Sequence, residues 1–250
     1  MTNSNLTKVV LVDFNCLLQL GNSAEYHTGI DAERITFNKL LNLLSLLGLK
    51  REDIIILACS GENSWRKEFY PDYSYTTFKI PIRYSTMITD ATPFHIICLD
   101  NLENYDIISY ATKYYEDREK IIVTTDDRFF LLEEVPNVKI VSPKTKRYRT
   151  HKNPQLMLLS LINKKLKESK VYGDMVATMY RNLTTVYNLL ILPEKVEWKI
   201  NLWLNTLNND KEFNTLNCTY KLLRNKIIEI YGKKDMIKEK TTIQKRLVFK

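Results

Sequence analysis

The sequence predicts a doubly wound, mainly parallel α/β sheet flanked by helices, followed by a helical C-terminal portion. Two observations carry this prediction. Up to about residue 142, short runs of β-branched and other apolar residues alternate with segments that have apolar residues at helical spacing. Beyond Gln155 the strand signal fades and four segments with helical periodicity follow. Alternation of strands and helices is typical of parallel sheets, because each parallel crossover needs a long connection.

Five apolar runs are predicted to be buried strands, because each is short and rich in β-branched residues. They are residues 8–13, 53–59, 94–99, 120–125 and 138–141. Ligands of such sheets bind beyond the carboxyl ends of the strands. Asp13, Ser60, Asp100 and Asp126 lie at or just past those ends, so the sequence places a binding site there.

The helices of the first half are predicted at residues 36–49, 103–115 and 129–134, with Asn101 as the N-cap of the second. Helices of the second half are predicted at residues 156–167, 172–190, 194–207 and 217–231. We therefore expect an α/β core over residues 1–143 and a helical portion over 144–232 that packs on it. Residues 233–250 are predicted to be a charged tail.

Composition limits the class of protein. The 250 residues include 37 Lys and Arg against 29 Asp and Glu, a formal net charge of +8. A basic surplus favours a polyanionic partner such as nucleic acid, although a solvated lysine-rich surface explains the same charge. The four cysteines are widely spaced without a C-x-x-C pair, which argues against a disulfide framework or a zinc site. No apolar run is long enough to span a bilayer, so we expect a cytoplasmic protein without membrane partners, in the host cell if it is viral.

Five carboxylates lie where three chain segments are expected to converge. Glu103 and Asp106 are one helical turn apart, Asp126 and Asp127 follow a predicted strand, and Asp13 ends the first strand. Clustered carboxylates are the oxygen ligands that Mg²⁺ takes in phosphodiester chemistry. Each acid taken singly is more typical of a helix cap or a surface charge than of a metal ligand.

A basic run at residues 144–152 follows the last predicted strand and reads as a turn-like connector. It contains Lys144, Lys146, Arg147 and Arg149 around Tyr148. Basic residues beside an aromatic ring can hold phosphates and stack a base, so we expect these four to bind nucleic acid. A solvated connector is the alternative.

Four stretches of the chain carry a family resemblance. They are WRKEFYPDY at residues 65–73, LENYDII at 102–108, IIVTTDDRFFLLEEVPNVKIVSP at 121–143 and, more weakly, YNLLILP at 187–193. In this order they resemble motifs of the flap-endonuclease and 5′-3′ exonuclease family. The resemblance is closest to the branch that contains the ribonuclease H of T-even bacteriophages. It implies a PIN-like, 5′-nuclease-like fold and an activity on DNA or RNA–DNA hybrids.

The resemblance also implies residue roles. Asp13, Glu103, Asp106 and Asp126 match acids that bind metal and catalyse hydrolysis, which implies Mg²⁺ or Mn²⁺ as the cofactor. Asp127 is a further candidate metal ligand from its position. Arg66 and Lys67 match bases that contact the substrate phosphates.

The chain departs from the family pattern in four places. The acid that ends the second strand is replaced by Ser60, and the second Asp of the S-S-D-x-D motif by Arg128. The G-D-x-x-D-N helix-three-turn-helix motif is missing; residues 171–174 are its nearest fragment. The connection over residues 73–93 is short and weakly basic. These losses favour one metal site over two, with Arg128 able to bind phosphate instead.

Two hypotheses follow. In the first, the chain is a divergent phage-type 5′-nuclease that hydrolyses phosphodiesters with Mg-bound water at a reduced carboxylate site. In the second, it is an inactive pseudo-nuclease that serves as a DNA-binding or protein-docking scaffold in a phage replication or transcription complex. A small PIN-type ribonuclease is a third reading.

Overall fold

A computed structural model describes residues 7–28, 32–49, 53–75 and 94–209. Its centre is a six-stranded sheet with the order β3-β2-β1-β4-β5-β6. The strands are β1 Lys8–Asp13, β2 Ile54–Ser60, β3 Phe94–Leu99, β4 Glu119–Val123, β5 Val138–Val141 and β6 Tyr148–Arg149. The first five are parallel, and β6 is antiparallel to β5. The mainly parallel sheet predicted from the sequence is confirmed.

In the part of the chain that the structure describes, six α-helices and two 3-10 helices flank the sheet. The α-helices are α1 Phe14–Thr28, α2 Ala32–Leu46, α3 Asn104–Tyr114, α4 Pro154–Glu168, α5 Met175–Tyr187 and α6 Glu194–Asn209. The 3-10 helices are Trp65–Glu68 and Asp127–Glu134. No described helix is long and apolar enough to cross a membrane.

The apolar residues of β1 divide between two hydrophobic clusters because successive side chains of a strand point to opposite faces. Val10 packs in the cluster that contains residues of α1 and α2. Val9 packs in the cluster that contains residues of α3 to α6 and of the 3-10 helices. Both residues are fully buried, so β1 lies in the middle of three layers. The division into a core and a helical portion stays a prediction.

The structure corrects some local predictions. Helix α1 was not predicted, because its polar Asn, Gln and Ser residues mask a narrow apolar stripe that includes Leu17. The N-cap of α3 is Glu103 and not Asn101, whose φ of 67° places it in the left-handed region before the helix. The basic connector carries the short strand β6. The predicted helix at 217–231 and the tail at 233–250 lie outside the described residues.

Candidate functional site

A polar pocket of about 260 Å³ opens at the carboxyl ends of β1, β2 and β4. This is the edge at which the sequence places a binding site. Among the residues that line the pocket are Asp13, Ser60, Glu103, Tyr105, Asp126 and Arg128.

Asp13 ends β1 and its carboxylate is buried at 3 % exposure. Its Oδ1 atom accepts hydrogen bonds from Asn104 Nδ2 at 2.9 Å and from the Cys16 backbone N–H at 3.0 Å. Its Oδ2 atom accepts one from Thr124 Oγ1 at 2.8 Å. Burial disfavours the charged form and raises the pKa of Asp13 to about 6, although these donors oppose the rise.

Neutral side chains form the pocket wall beside Asp13. The Ser60 hydroxyl accepts a hydrogen bond from Asn15 Nδ2 at 2.8 Å and donates one to Asn104 Oδ1 at 2.9 Å. Ser60 takes the position at which the family resemblance implies a metal-binding acid. Its hydroxyl instead connects the side-chain amides of Asn15 and Asn104. Sequence reasoning marked Ser60 as a strand-end residue but missed Asn15, Asn104 and Thr124, although each lies within two residues of a marked acid.

Glu103 and Asp106 form a capping box at the start of α3, as their i, i+3 spacing allows. Asp106 Oδ2 accepts the backbone N–H of Glu103 at 2.8 Å. Both side chains are fully buried at 0 % exposure. Two buried carboxylates 3 residues apart would repel each other strongly without a neighbouring cation.

The neighbouring cation is Arg66, from the 3-10 helix Trp65–Glu68. Its Nη1 atom lies 3.1 Å from Glu103 Oε1 and 3.0 Å from Asp106 Oδ2, and its Nη2 atom lies 2.7 Å from Asp106 Oδ1. Its Nε atom donates to the carbonyl oxygen of Val186 at 2.8 Å. Burial alone would lower the pKa of Arg66, but the carboxylates of Asp106 and Glu103 raise it overall.

Further donors complete the network around the two acids. Tyr73 OH donates to Glu103 Oε2 at 2.9 Å, Trp65 Nε1 donates to Asp106 Oδ2 at 3.1 Å, and the Ser64 hydroxyl donates to Glu103 Oε1. Burial raises the pKa of Glu103, whereas Arg66 acts to lower it. Each of the four carboxylate oxygens therefore has a protein donor or cation beside it.

Arg66 does not take the phosphate-contacting position that the resemblance implies. Its side chain is only 1 % exposed and its nitrogens are directed at Glu103, Asp106 and Val186. Lys67, the next residue, is exposed at the surface, and its Nζ atom lies 5.7 Å from the centre of the Tyr75 ring. Of this pair, only Lys67 presents its charge to solvent.

A second arginine neutralises the acid that follows β4. Arg128 Nη2 lies 2.8 Å from Asp126 Oδ2, and the guanidinium sits over the Tyr105 ring at 4.0 Å from its centre. The Tyr105 hydroxyl donates to Asp126 Oδ2. Burial raises the pKa of Asp126. Tyr105 was not predicted as a site residue, although it lies between Glu103 and Asp106 in the sequence.

The other predicted residues lie outside the pocket. Asp127 is 62 % exposed and forms an ion pair with Arg149, so it is directed away from Asp13. Lys144 and Arg147 are exposed on the turn between β5 and β6, and Lys146 is partly exposed there. Lys144, Lys146 and Arg147 thus lie at the surface, outside the pocket, whereas Arg66 and Arg128 form ion pairs with the acids.

A metal ion needs several oxygen ligands whose lone pairs are free. Asp13, Glu103 and Asp126 line the pocket, whereas Asp106 lies behind it. Over the described ranges, the side chains of His, Cys, Asp and Glu form no group of 3 or more that could hold a metal. Glu103 and Asp106 already have Arg66 and neutral donors beside their oxygens, whereas Asp13 and Asp126 both face the pocket. The metal-binding and catalytic roles of the five acids stay predictions.

This sheet order with acids at its carboxyl edge defines a protein with a 5′-nuclease-like fold, as the resemblance implied. In a comparison with solved structures, the chain is similar to a bacteriophage T5 flap endonuclease in complex with DNA and metal ions. The TM-score is 0.56 at 12 % identity, over 81 % of this chain and 100 % of the other. It is also similar to a bacteriophage T5 protein co-crystallised with metal ions. That TM-score is 0.52 at 12 % identity, over 80 % and 99 % of the two chains.

No protein-family model and no curated protein matches the chain by sequence. At 12 % identity the structural likeness shows the fold alone. The activity has to be inferred from the residues of the site.

Proposed function

We propose that this chain is a nucleic-acid-binding protein of 5′-nuclease-like fold whose acids form a structural network and no longer a hydrolytic centre. The ion pairs of Arg66 with Glu103 and Asp106, all three fully buried or nearly so, carry the proposal. A guanidinium supplies the positive charge that buried carboxylates require. A site already neutralised in this way has little attraction left for a divalent cation.

Two further features support the proposal. Arg128 neutralises Asp126 in the same manner at the pocket wall. The side-chain partners of Asp13 are the neutral Asn104 and Thr124, and Asn104 is in turn hydrogen-bonded to Ser60, where hydrolysis by two metals would need further carboxylates.

Nucleic acid is the proposed partner because of charge and fold together. The chain carries a net charge of +8, and exposed basic residues gather at Lys144 and Arg147, away from the buried acids. A solved structure of similar fold is a complex with DNA. Binding through phosphates predicts an affinity that falls steeply as salt rises.

The proposal is tested with 5′-labelled flap DNA and an RNA–DNA hybrid at high protein concentration, with Mg²⁺ or Mn²⁺. We expect salt-dependent binding and no cleavage above the level of the buffer. Asp13→Asn is the matched variant, because it removes one of the pocket carboxylates and keeps the side-chain shape. Cleavage that disappears in Asp13→Asn would contradict the proposal.

That outcome would favour the alternative, a divergent nuclease. One observation speaks for it: Asp13 and Asp126 both face the pocket, and the charge of Asp126 contributes to raising the pKa of Asp13. In that case Asp13 and Asp126 would hold a single Mg²⁺ or Mn²⁺. Cleavage confined to single-stranded RNA would point to a PIN-type ribonuclease.

A further inference from the structure

The turn between β5 and β6 presents an aromatic ring inside a stretch whose charged residues are all basic. Residues 144–152 contain five Lys or Arg and no acid. Tyr148 lies in β6, opposite Val141 of β5, and is 59 % exposed although Val141 is buried. Among the described strands, β6 pairs with β5 alone, so the ring of Tyr148 stands at the edge of the described sheet.

The backbone of this turn is held in a fixed shape. The Ser142 N–H donates to the Arg147 carbonyl at 3.0 Å, and the Lys146 N–H donates to the Ser142 carbonyl at 2.7 Å. The Ser142 hydroxyl also accepts the backbone N–H groups of Lys144 and Thr145, each at 3.3 Å. A fixed turn presents its side chains with little further loss of conformational entropy on binding.

The acids near the turn are already paired. Glu119 binds Lys139, whose Nζ atom lies 2.7 Å from Glu119 Oε1 and 6.0 Å from the centre of the Tyr148 ring. Asp127 binds Arg149. Among the ion pairs of the described residues, none involves Lys144 or Arg147. The charges of Lys144 and Arg147 therefore remain available to an anion.

We propose that Tyr148 is a stacking platform for an unpaired base, with Lys144 and Arg147 binding the phosphates on either side of it. This inference rests on the proposed function and names its ligand as single-stranded nucleic acid. An aromatic ring can stack on the face of any base, whereas a continuous duplex hides its base faces. Lys139 lies near the ring, but its charge is paired with Glu119, so the phosphates are left to Lys144 and Arg147.

Arg149, the residue after Tyr148, attaches strand β6 to the neighbouring 3-10 helix. Arg149 forms an ion pair with Asp127, and its guanidinium sits 4.9 Å from the centre of the Phe130 ring. Both partners belong to the 3-10 helix Asp127–Glu134, which starts beside Asp126 of the pocket. Because successive side chains of a strand point to opposite faces, Arg149 anchors β6 on this 3-10 helix while the Tyr148 ring faces the other side of the strand.

The test is equilibrium binding by fluorescence anisotropy with the full chain. The probes are a thymidine single strand of about 12 nucleotides, an abasic strand of the same length and a blunt duplex. The abasic strand has the same phosphates without bases, so it separates stacking from charge. We expect wild type to bind the thymidine strand about tenfold more tightly than the abasic strand.

The variants separate the two contributions. Tyr148→Ala is expected to bind the thymidine and abasic strands equally, and Tyr148→Trp to keep the preference. The double variant Lys144→Ala with Arg147→Ala is expected to bind both strands more weakly. The slope of log affinity against log salt concentration should also become shallower by about 1.4, or about 0.7 for each lost phosphate contact. Tyr172→Ala is the matched control, because Tyr172 is 81 % exposed but lies outside the basic turn.

The outcomes distinguish this inference from the proposed function. Salt-dependent binding that is equal for all three probes, and unchanged in Tyr148→Ala, would overturn the platform and leave the proposed function in place. Absence of binding to every probe would overturn both. Cleavage of a probe would overturn the proposed function alone, provided that the base preference still depends on Tyr148.

Discussion

Replacing Arg66 by Met tests whether the buried ion pairs hold the fold together. The substitution keeps an unbranched side chain of similar length but removes the cation that lies within 3.1 Å of both Glu103 and Asp106. Two buried carboxylates are then left with only neutral donors. The carbonyl oxygen of Val186 also loses the Arg66 Nε donor at 2.8 Å.

The expected loss is large. Breaking a buried ion pair costs about 3–5 kcal/mol, and an unsatisfied buried carbonyl adds about 1 kcal/mol. A loss of about 4–6 kcal/mol is a large part of the ~5–15 kcal/mol that stabilises a typical domain. With an m-value of about 3 kcal/mol/M, the urea midpoint of Arg66→Met should fall by about 1.3–2 M.

Two comparison variants make the assay specific. Lys195→Met breaks the surface pair with Glu68, in which both side chains are 59 % exposed, and should cost less than about 1 kcal/mol. Adding Glu103→Gln and Asp106→Asn to Arg66→Met should restore most of the loss, because no buried charge then remains unpaired. If Arg66→Met unfolds at the same urea concentration as Lys195→Met, the buried network is not structural and the reasoning fails.

Two further predictions concern the residues at the carboxyl edge. The pKa of Asp13 is raised by burial from 3.8 to about 6, so the protonated form favours the folded state. The stabilisation that protonated Asp13 gives the folded state is fully present below about pH 4 and is lost as pH rises through about 6. The free energy of unfolding should therefore fall by about 3 kcal/mol over this range. Asp13→Asn should remove this pH dependence in urea unfolding; an unchanged profile would contradict the raised pKa. At Gly61, an added Cβ would lie 2.2 Å from the Leu99 carbonyl oxygen. Gly61→Ala should therefore lower the melting temperature by about 5 °C, and a shift below about 1 °C would refute the close approach.

The sequence predicts the sheet well because its central strands are buried on both faces. Residues 9–12 of β1 are all fully buried, and such strands read as continuous apolar runs. The polar residues that end those runs must then lie at one edge, which correctly marks Asp13, Ser60 and Asp126 as neighbours.

The direction of Arg66 could not be predicted from sequence. A W-R motif is equally compatible with a guanidinium that faces phosphate and one that faces Glu103 and Asp106. The choice depends on contacts between distant segments, above all with Val186, which is 120 residues away along the chain. The neutral wall around Asp13 was missed for a similar reason, because Asn15 and Asn104 are distant in sequence and are joined through Ser60.

The dual position of Glu103 and Asp106 limits how such a protein can change over generations. These acids cap α3 and anchor Arg66, which in turn holds the backbone that ends α5. A mutation that separated these acids from Arg66 would destabilise the fold before any new activity arose. Compensating substitutions elsewhere would therefore have to come first before these two acids could take other partners.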